Sequence, residues 1–205
     1  MARLLNRKFH VGSRGTRLAA MLGLVLVFLA FRLGITGPRH AQASPRHESA
    51  PPAAPVAATV QAAFEKDCEG LVIREVEHAE KEVLVAIYSI TRRNITSALA
   101  DAVKRGVKVR LKYDQAQFDY EGMKTSIAFL KKHGIACTAI RMEGDTARMH
   151  HKFVVIDGQR VLTGSYNFTS SATEENYENL VLIESPDLAR RFADEFGRIE
   201  SQKAD

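Results

Sequence analysis

Cysteine is scarce in this chain, two in 205 residues, at Cys68 and Cys137. That excludes a disulfide-dense scaffold and a zinc site built from three or four thiolates. Long apolar runs are also missing. Leu18 to Phe31 holds fourteen residues, short of the ~20 needed for a confident membrane-spanning helix. Acids are absent from positions 1–43, and no internal repeat is visible. What is present is a basic start, a Pro-rich connection and one domain-sized stretch.

Residues 1–17 carry Arg3, Arg7, Lys8, Arg14 and Arg17. With the apolar run behind them and Ala41-Gln42-Ala43 before Ser44, residues 1–43 read as an export signal. Extending the apolar stretch through Ile35 gives the alternative, an uncleaved anchor. Either way the chain is expected outside the cytoplasm, periplasmic or secreted, or held at the inner membrane. Residues 44–57, rich in Pro and Ala, read as a linker, and 58–203 as the folded domain.

The overall balance is +5, which invites a polyanionic partner. Seven of the 29 basic residues and none of the 24 acidic ones lie in 1–43, which leaves about −2 for the rest. Basicity therefore belongs to the leader. Local clusters remain at Arg92-Arg93, Lys104 to Lys112 and Lys131-Lys132, each equally readable as a solvated face. The exported cysteine pair is expected to form a disulfide, with the first helix lying over the strand that bears Cys137; two separately buried thiols are the alternative.

Apolar patterning alternates strand and helix. A short strand at Thr59–Phe64 precedes a helix from Lys66 to Glu80, then the buried strand VLVAIYSI. A helix from Asn94, with Ile95, Ala98, Leu99, Ala102 and Val103 on one face, ends at Gly106. The strand VKVRLKYD, a loop over 115–122, a helix closed by His133-Gly134 and the strand IACTAI follow. After Pro186 a last helix carries Leu188, Phe192, Phe196 and Ile199 on one face. This order argues an α/β sandwich around a mixed sheet.

The chemistry concentrates in His150 to Asn167, HHKFVVIDGQRVLTGSYN. FVVID and RVLTG are β-branched runs around a turn signal. A two-residue type II′ loop at Gly158-Gln159 sets Asp157 opposite Arg160, Lys152 opposite Ser165 and His150 opposite Asn167. Strand alternation then puts His150, Lys152, Ser165 and Asn167 on one face. An imidazole, an ammonium, a hydroxyl and a carboxamide there could attack and hold a phosphodiester without a metal. Asp157 falls at the far end and reads as a structural turn residue. His151 points away from Lys152 by the same parity and reads as a rim residue. Neighbouring residues facing opposite ways, with no Cys or carboxylate at ligand spacing, argue against a metal site.

The spacing His-x-Lys, four residues, Asp, six residues, Gly164-Ser165-x-Asn167 resembles the HKD signature of the phospholipase D superfamily. With AIYSIT, AVKRGVKVRLKYD and ENLVLI, the likeness runs from about Ala57 to the end. It is to the compact branch with one motif per chain, which includes secreted bacterial endonucleases and mitochondrial cardiolipin hydrolases. The resemblance implies a phospholipase D-like α/β/α sandwich and a phosphohistidine formed on His150. Lys152, Ser165 and Asn167 would neutralise the oxyanion, with Asp157 and Gly164 in support and no metal or cofactor. It also implies that Glu178, eleven residues after Asn167, orients the His150 ring by accepting its Nδ1 proton. A second imidazole is needed, and single-motif members obtain it by forming a homodimer with one composite site. The implied substrate is the DNA or RNA backbone, cleaved without sequence preference, or alternatively a membrane phospholipid. An inactive anchored binding module is the third reading. The loop FDYEGMK gives no signal that decides among them.

Overall fold

The computed structural model describes residues 56–202, apart from Asp145. The export segment 1–43 and most of the linker lie outside the described residues. In chain order the elements are β1 Thr59–Phe64, α1 Lys66–Glu77, β2 Glu82–Ile87, α2 Arg93–Lys104, β3 Lys108–Asp114, a 3-10 turn Gln115–Asp119 and α3 Glu121–Lys132. Then come β4 Ala136–Ile140, β5 Lys152–Ile156, β6 Arg160–Gly164, α4 Ser170–Glu174, β7 Asn179–Glu184 and α5 Pro186–Arg198.

The strands form one sheet in the order β1-β7-β6-β5-β2-β3-β4. β2, β3 and β4 run parallel, whereas β2–β5, β5–β6, β6–β7 and β7–β1 are antiparallel. Helices cover both faces, so the expected α/β/α sandwich is the observed one. Val83, Val85 and Ile87 of β2 join the core under α1, α2 and α3. Leu84 and Ala86 of the same strand join the smaller core under α5. A strand buried on both sides has no polar alternation to show, and EVLVAI has none.

Local chemistry ends α2 and α3 where the sequence indicates, whereas α1 stops at Glu77, short of the expected Glu80. Gly106 (φ 94°) and Gly134 (φ 83°) follow α2 and α3 in the left-handed region that glycine adopts without a Cβ clash. Ser185 caps α5 by accepting from Leu188 N at 3.5 Å, with Pro186 at its first position. At its other end, Lys112 Nζ donates to the carbonyls of Phe196 (2.8 Å) and Ile199 (2.7 Å). Of the expected face, Phe196 and Ile199 are buried and Leu188 and Phe192 only partly, with Ala189 completing the contact.

Two expectations need correction. Cys68 and Cys137 are free thiols. α1 packs beside β1 at one edge of the sheet and Cys137 lies on β4 at the other. Six strand spacings separate those edges, about 29 Å, whereas a disulfide needs Cα atoms within ~7 Å. Burial pushes both thiols up to about 11.

The β5–β6 hairpin is also shifted by one residue. Ile156 pairs with Arg160 and Phe153 with Thr163. Asp157 (φ 54°) and Gly158 (φ 64°) both occupy the left-handed region, and Gln159 N donates to Ile156 O at 3.0 Å. That is a type I′ turn on Asp-Gly, with Gln159 as an extra residue. The Asp157 carboxylate decides it, accepting the backbone N–H groups of Glu80 (3.0 Å), Lys81 (2.7 Å) and Glu82 (2.9 Å). Asp is among the few residues that tolerate this conformation, and here it fastens the hairpin to the start of β2.

Burial pushes the Asp157 carboxyl up, but the three N–H donors, with Arg160 nearby, outweigh it and hold the group below its ordinary value. A depressed folded pKa contributes stability above the unfolded value, ~3.9, and that contribution is lost as pH falls through the folded value. Asp157→Asn, which keeps the turn conformation, is expected to cost about 1–3 kcal/mol at pH 7. In urea titrations the gap to wild type should close between about pH 5 and pH 2; a gap of constant size would refute this role.

Candidate active site

Antiparallel pairing sets β5 beside β2 so that Ile87 meets Lys152. The C-terminal ends of β2, β3 and β6 and the N-terminal ends of β5 and β7 therefore share one end of the sheet. His150, Lys152, Ser165, Asn167 and Glu178 all lie there, and Asp157 lies at the opposite end of β5.

His150 is exposed on the segment leading into β5. Two contacts fix that segment. Met149 N donates to the buried Asp114 carboxylate at 2.7 Å, and Tyr88 N donates to His151 O at 2.9 Å. The Lys152 ammonium sits 3.4 Å from both ring nitrogens of His150 and donates to His150 O at 3.2 Å. A point equidistant from both nitrogens lies on neither lone-pair axis. Lys152 thus crowds the ring without occupying the lone pair a nucleophile needs.

The electrostatics favour a neutral ring. Desolvation lowers the His150 pKa below its ordinary value, Lys152 and His151 lower it further, and Asp114 opposes them. Lys152 is itself lowered by desolvation, with Glu178 pulling the other way.

Ser165 and Asn167 do not reach this end as cross-strand partners of Lys152 and His150. With the corrected register they lie beyond the last residue of β6, where the chain bends. Tyr166 is driven fully into the core between them, its hydroxyl 2.6 Å from Thr173 Oγ1. Phe168 is buried next, its N donating to Ser89 O at 3.1 Å and its O accepting from Thr91 N and Arg92 N at 2.7 and 2.8 Å. Asn167 is held between these two anchors, and its Oδ1 is buried with no hydrogen-bond partner.

Glu178 is placed differently from the expectation. Its carboxylate accepts from Ser165 Oγ and, at 3.2 Å, from Asn176 Nδ2. Both oxygens are engaged away from the His150 ring. Within this chain Glu178 orients the serine, because the shifted hairpin brings Ser165 to the start of β7. Ser165 N donates to Asn179 O at 3.1 Å, and Asn179 N donates to Ser165 Oγ at 3.0 Å.

His151 is the rim residue that parity indicates. Its ring meets Phe153 edge-on at 5.4 Å, and Nε2 lies 3.5 Å from Glu195 of α5. Among the described residues no group of three or more His, Cys, Asp or Glu is placed to hold a metal.

The site also contains residues that motif spacing does not reveal. Asp114 anchors the segment before His150. Tyr88, at the end of β2, lays its ring 4.7 Å from that of His150 and 5.2 Å from Lys152 Nζ. AIYSI reads as a buried strand, and only the β2–β5 pairing shows which way its tyrosine turns. A cleft of about 590 Å³ opens beside His150, with Met142, Met149 and Ile199 as its apolar part and Arg148 and Arg198 among its charges.

Residues 72–200 match the family described as cardiolipin synthase, PLD-like domain. The chain belongs to the phospholipase D-like family. It is 34% identical over 151 residues to the mitochondrial cardiolipin hydrolase of Danio rerio, covering 73% of this chain and 62% of that protein. It is 34% identical over 127 residues to a phospholipase D of Rickettsia prowazekii, covering 61% and 58%. The chain thus spans about three-fifths of the length of these relatives. Nuc, a phospholipase D family member from Salmonella typhimurium, has the same fold with a TM-score of 0.64 at 28% identity, over 70% of this chain and 94% of Nuc.

In this phospholipase D-like domain Gly164 is required by contact. A Cβ there would lie 2.2 Å from Asn179 O and 2.9 Å from its carbonyl carbon. Backbone cannot yield as a flexible side chain can, so Gly164→Ala must push β6 and β7 apart where Ser165 meets Glu178. A loss of about 1–3 kcal/mol is expected in denaturant unfolding. A variant as stable as wild type would show that the strands separate freely.

Proposed function

We propose that this protein is a phosphodiesterase working through a covalent phosphohistidine on His150, without a metal. The observation that supports it most directly is the pairing of an exposed, neutral-leaning imidazole with the Lys152 ammonium, which lies 3.4 Å from each ring nitrogen and off the axis of the lone pair. His150 attacks phosphorus, a P–N bond forms and the P–O bond to the leaving group breaks. A second imidazole protonates the departing oxygen. Water then attacks, giving its proton to that second imidazole as the P–N bond breaks. Lys152, Ser165 and Asn167 face the charge that develops on the phosphoryl oxygens.

His151 turns toward α5 and not toward His150, so the second imidazole is assigned to a second copy of the chain. The proposed enzyme is a homodimer with a composite site on its two-fold axis. Its substrate is the backbone of DNA or RNA, outside the cytoplasm, cleaved without sequence preference. The open cleft and the exposure of His150 support that reading. A second reading, hydrolysis of a membrane phospholipid, is favoured by the apolar wall of Met142, Met149 and Ile199 beside the nucleophile. It is favoured too by the relatives' names, phospholipase D and cardiolipin hydrolase.

Full-length protein assayed in excess EDTA on plasmid DNA, single-stranded DNA, RNA and phospholipid vesicles decides between these readings. Nucleic-acid cleavage that weakens steeply with salt is expected; headgroup release without nicking would transfer the mechanism to lipid. His150→Ala and Lys152→Ala should each abolish turnover in a folded protein, and mixing the two variants should not restore it. An active monomer in light scattering would refute the composite site. Because the nucleophile works unprotonated, activity falls as pH drops through the His150 pKa. That acid limb should lie below the ordinary histidine value of ~6.5.

A further inference from the structure

We propose that Tyr88 is a positioning residue that holds the His150 ring and the Lys152 ammonium in their working arrangement and ties both to the turn after β3. The inference rests on the phosphohistidine reading above. It begins from geometry. Tyr88 follows directly after Ile87, the residue paired with Lys152, and its N–H donates to His151 O at 2.9 Å. Its backbone is therefore fastened to the segment that carries His150.

The Tyr88 ring lies 4.7 Å from the His150 ring at an interplanar angle of 58°. A tilted contact of this kind packs one ring against the other and restricts rotation about χ2. The same ring lies 5.2 Å from Lys152 Nζ, within cation–π range. One aromatic ring thus contacts both groups that the reaction requires. No carboxylate hydrogen bond to the His150 ring occurs among the described residues, so this aromatic contact does the orienting.

The phenol extends the connection. Tyr88 OH accepts from Gln117 Nε2 at 2.6 Å. Gln117 sits in the 3-10 turn Gln115–Asp119, whose first residue follows Asp114. Asp114 accepts from Met149 N at 2.7 Å and from Ala116 N at 3.0 Å. The turn after β3 therefore reaches His150 by two routes, through Asp114 to the backbone and through Gln117 and Tyr88 to the ring. Phe118 and Tyr120 are exposed on and just after that turn.

The test compares Tyr88→Phe, which keeps the ring and loses the Gln117 bond, with Tyr88→Leu, which loses both. In full-length protein Tyr88→Leu is expected to lower kcat at least tenfold with KM changed less than threefold. Tyr88→Phe should recover most of that loss. A second readout needs no turnover: NMR titration of the histidine ring C–H signals, with His150 assigned by its absence in His150→Ala. The groups acting on that titration are Lys152, His151 and Asp114. Removing the aromatic cover admits water, so the His150 midpoint should rise in Tyr88→Leu and stay near wild type in Tyr88→Phe. Equal kcat in Tyr88→Leu and wild type, or an unmoved midpoint, would overturn the assignment. If wild type turns over no phosphodiester yet the midpoint still shifts, the phosphohistidine reading fails and the positioning contact stands.

Discussion

Ile87 on β2 pairs with Lys152 on β5, and through that rung the parallel half of the sheet joins the antiparallel half. β2 is the one strand that belongs to both, buried on each face and flanked by β3 and β5. The placement of Tyr88, His150 and Lys152 follows from this junction. It brings the end of β2, with Tyr88, to the start of the motif, and it lets Asp114 at the end of β3 reach Met149. At the other end of the same pair, Asp157 gathers three N–H groups at the start of β2. A register slip of one residue would turn Lys152 to the opposite face. The Asp157 clamp and the burial of Val154 and Ile156 oppose such a slip from the far end of the strand.

The charge clusters illustrate how far composition can mislead. Arg92 bonds Glu69 at 2.9 Å and Glu174 at 2.7 Å, which ties α1, the start of α2 and α4 together. Lys104 pairs with Asp101, Arg105 donates to Val76 O, Arg110 pairs with Glu82, and Lys112 closes the end of α5. Two of the three clusters are thus largely engaged within the domain. The cleft beside His150 carries charge of both signs, with Arg148 and Arg198 among Glu195 and Glu200, and Arg198 paired with Glu195 at 3.0 Å. Local arrangement, and not overall balance, sets what the site can attract.

The sequence makes the sandwich legible because alternating strands and helices carry strong periodic patterns and glycine stops. It makes the motif legible because residue type and spacing coincide. It fails where a long-range contact overrides a local preference. Gly158 signals a turn, but the three donors held by Asp157 pull the left-handed pair forward by one residue and shift the hairpin. That shift moves Ser165 off the strand and onto Asn179 and Glu178, so the expected bond from Glu178 to His150 is replaced by one to Ser165. Strand order is likewise invisible along the chain: nothing local shows that β1 and β4 lie at opposite edges, which is why pairing Cys68 with Cys137 fails. Tyr88 shares that difficulty, since its partners lie on a strand some sixty residues away.

Glu178 brings these observations together. Held by Ser165 and Asn176, it lies close enough to counter the desolvation of Lys152. It therefore favours the charged ammonium, the form that can stabilise an oxyanion. His150 has its own counterweight: desolvation and Lys152 both disfavour its cation, and Asp114 opposes them. Both pKa values are lowered, and because an ammonium's ordinary value lies far above that of an imidazole, Lys152 remains the cation of the pair while His150 is pushed toward the neutral form. That division suits a nucleophile beside an electrophilic anchor and does not suit a general acid, which must begin protonated. One chain therefore supplies one half of the chemistry in the proposed reaction. The protonated imidazole must come from an environment that differs from this one, and in a symmetric pair that difference has to arise when the substrate phosphate occupies one side first.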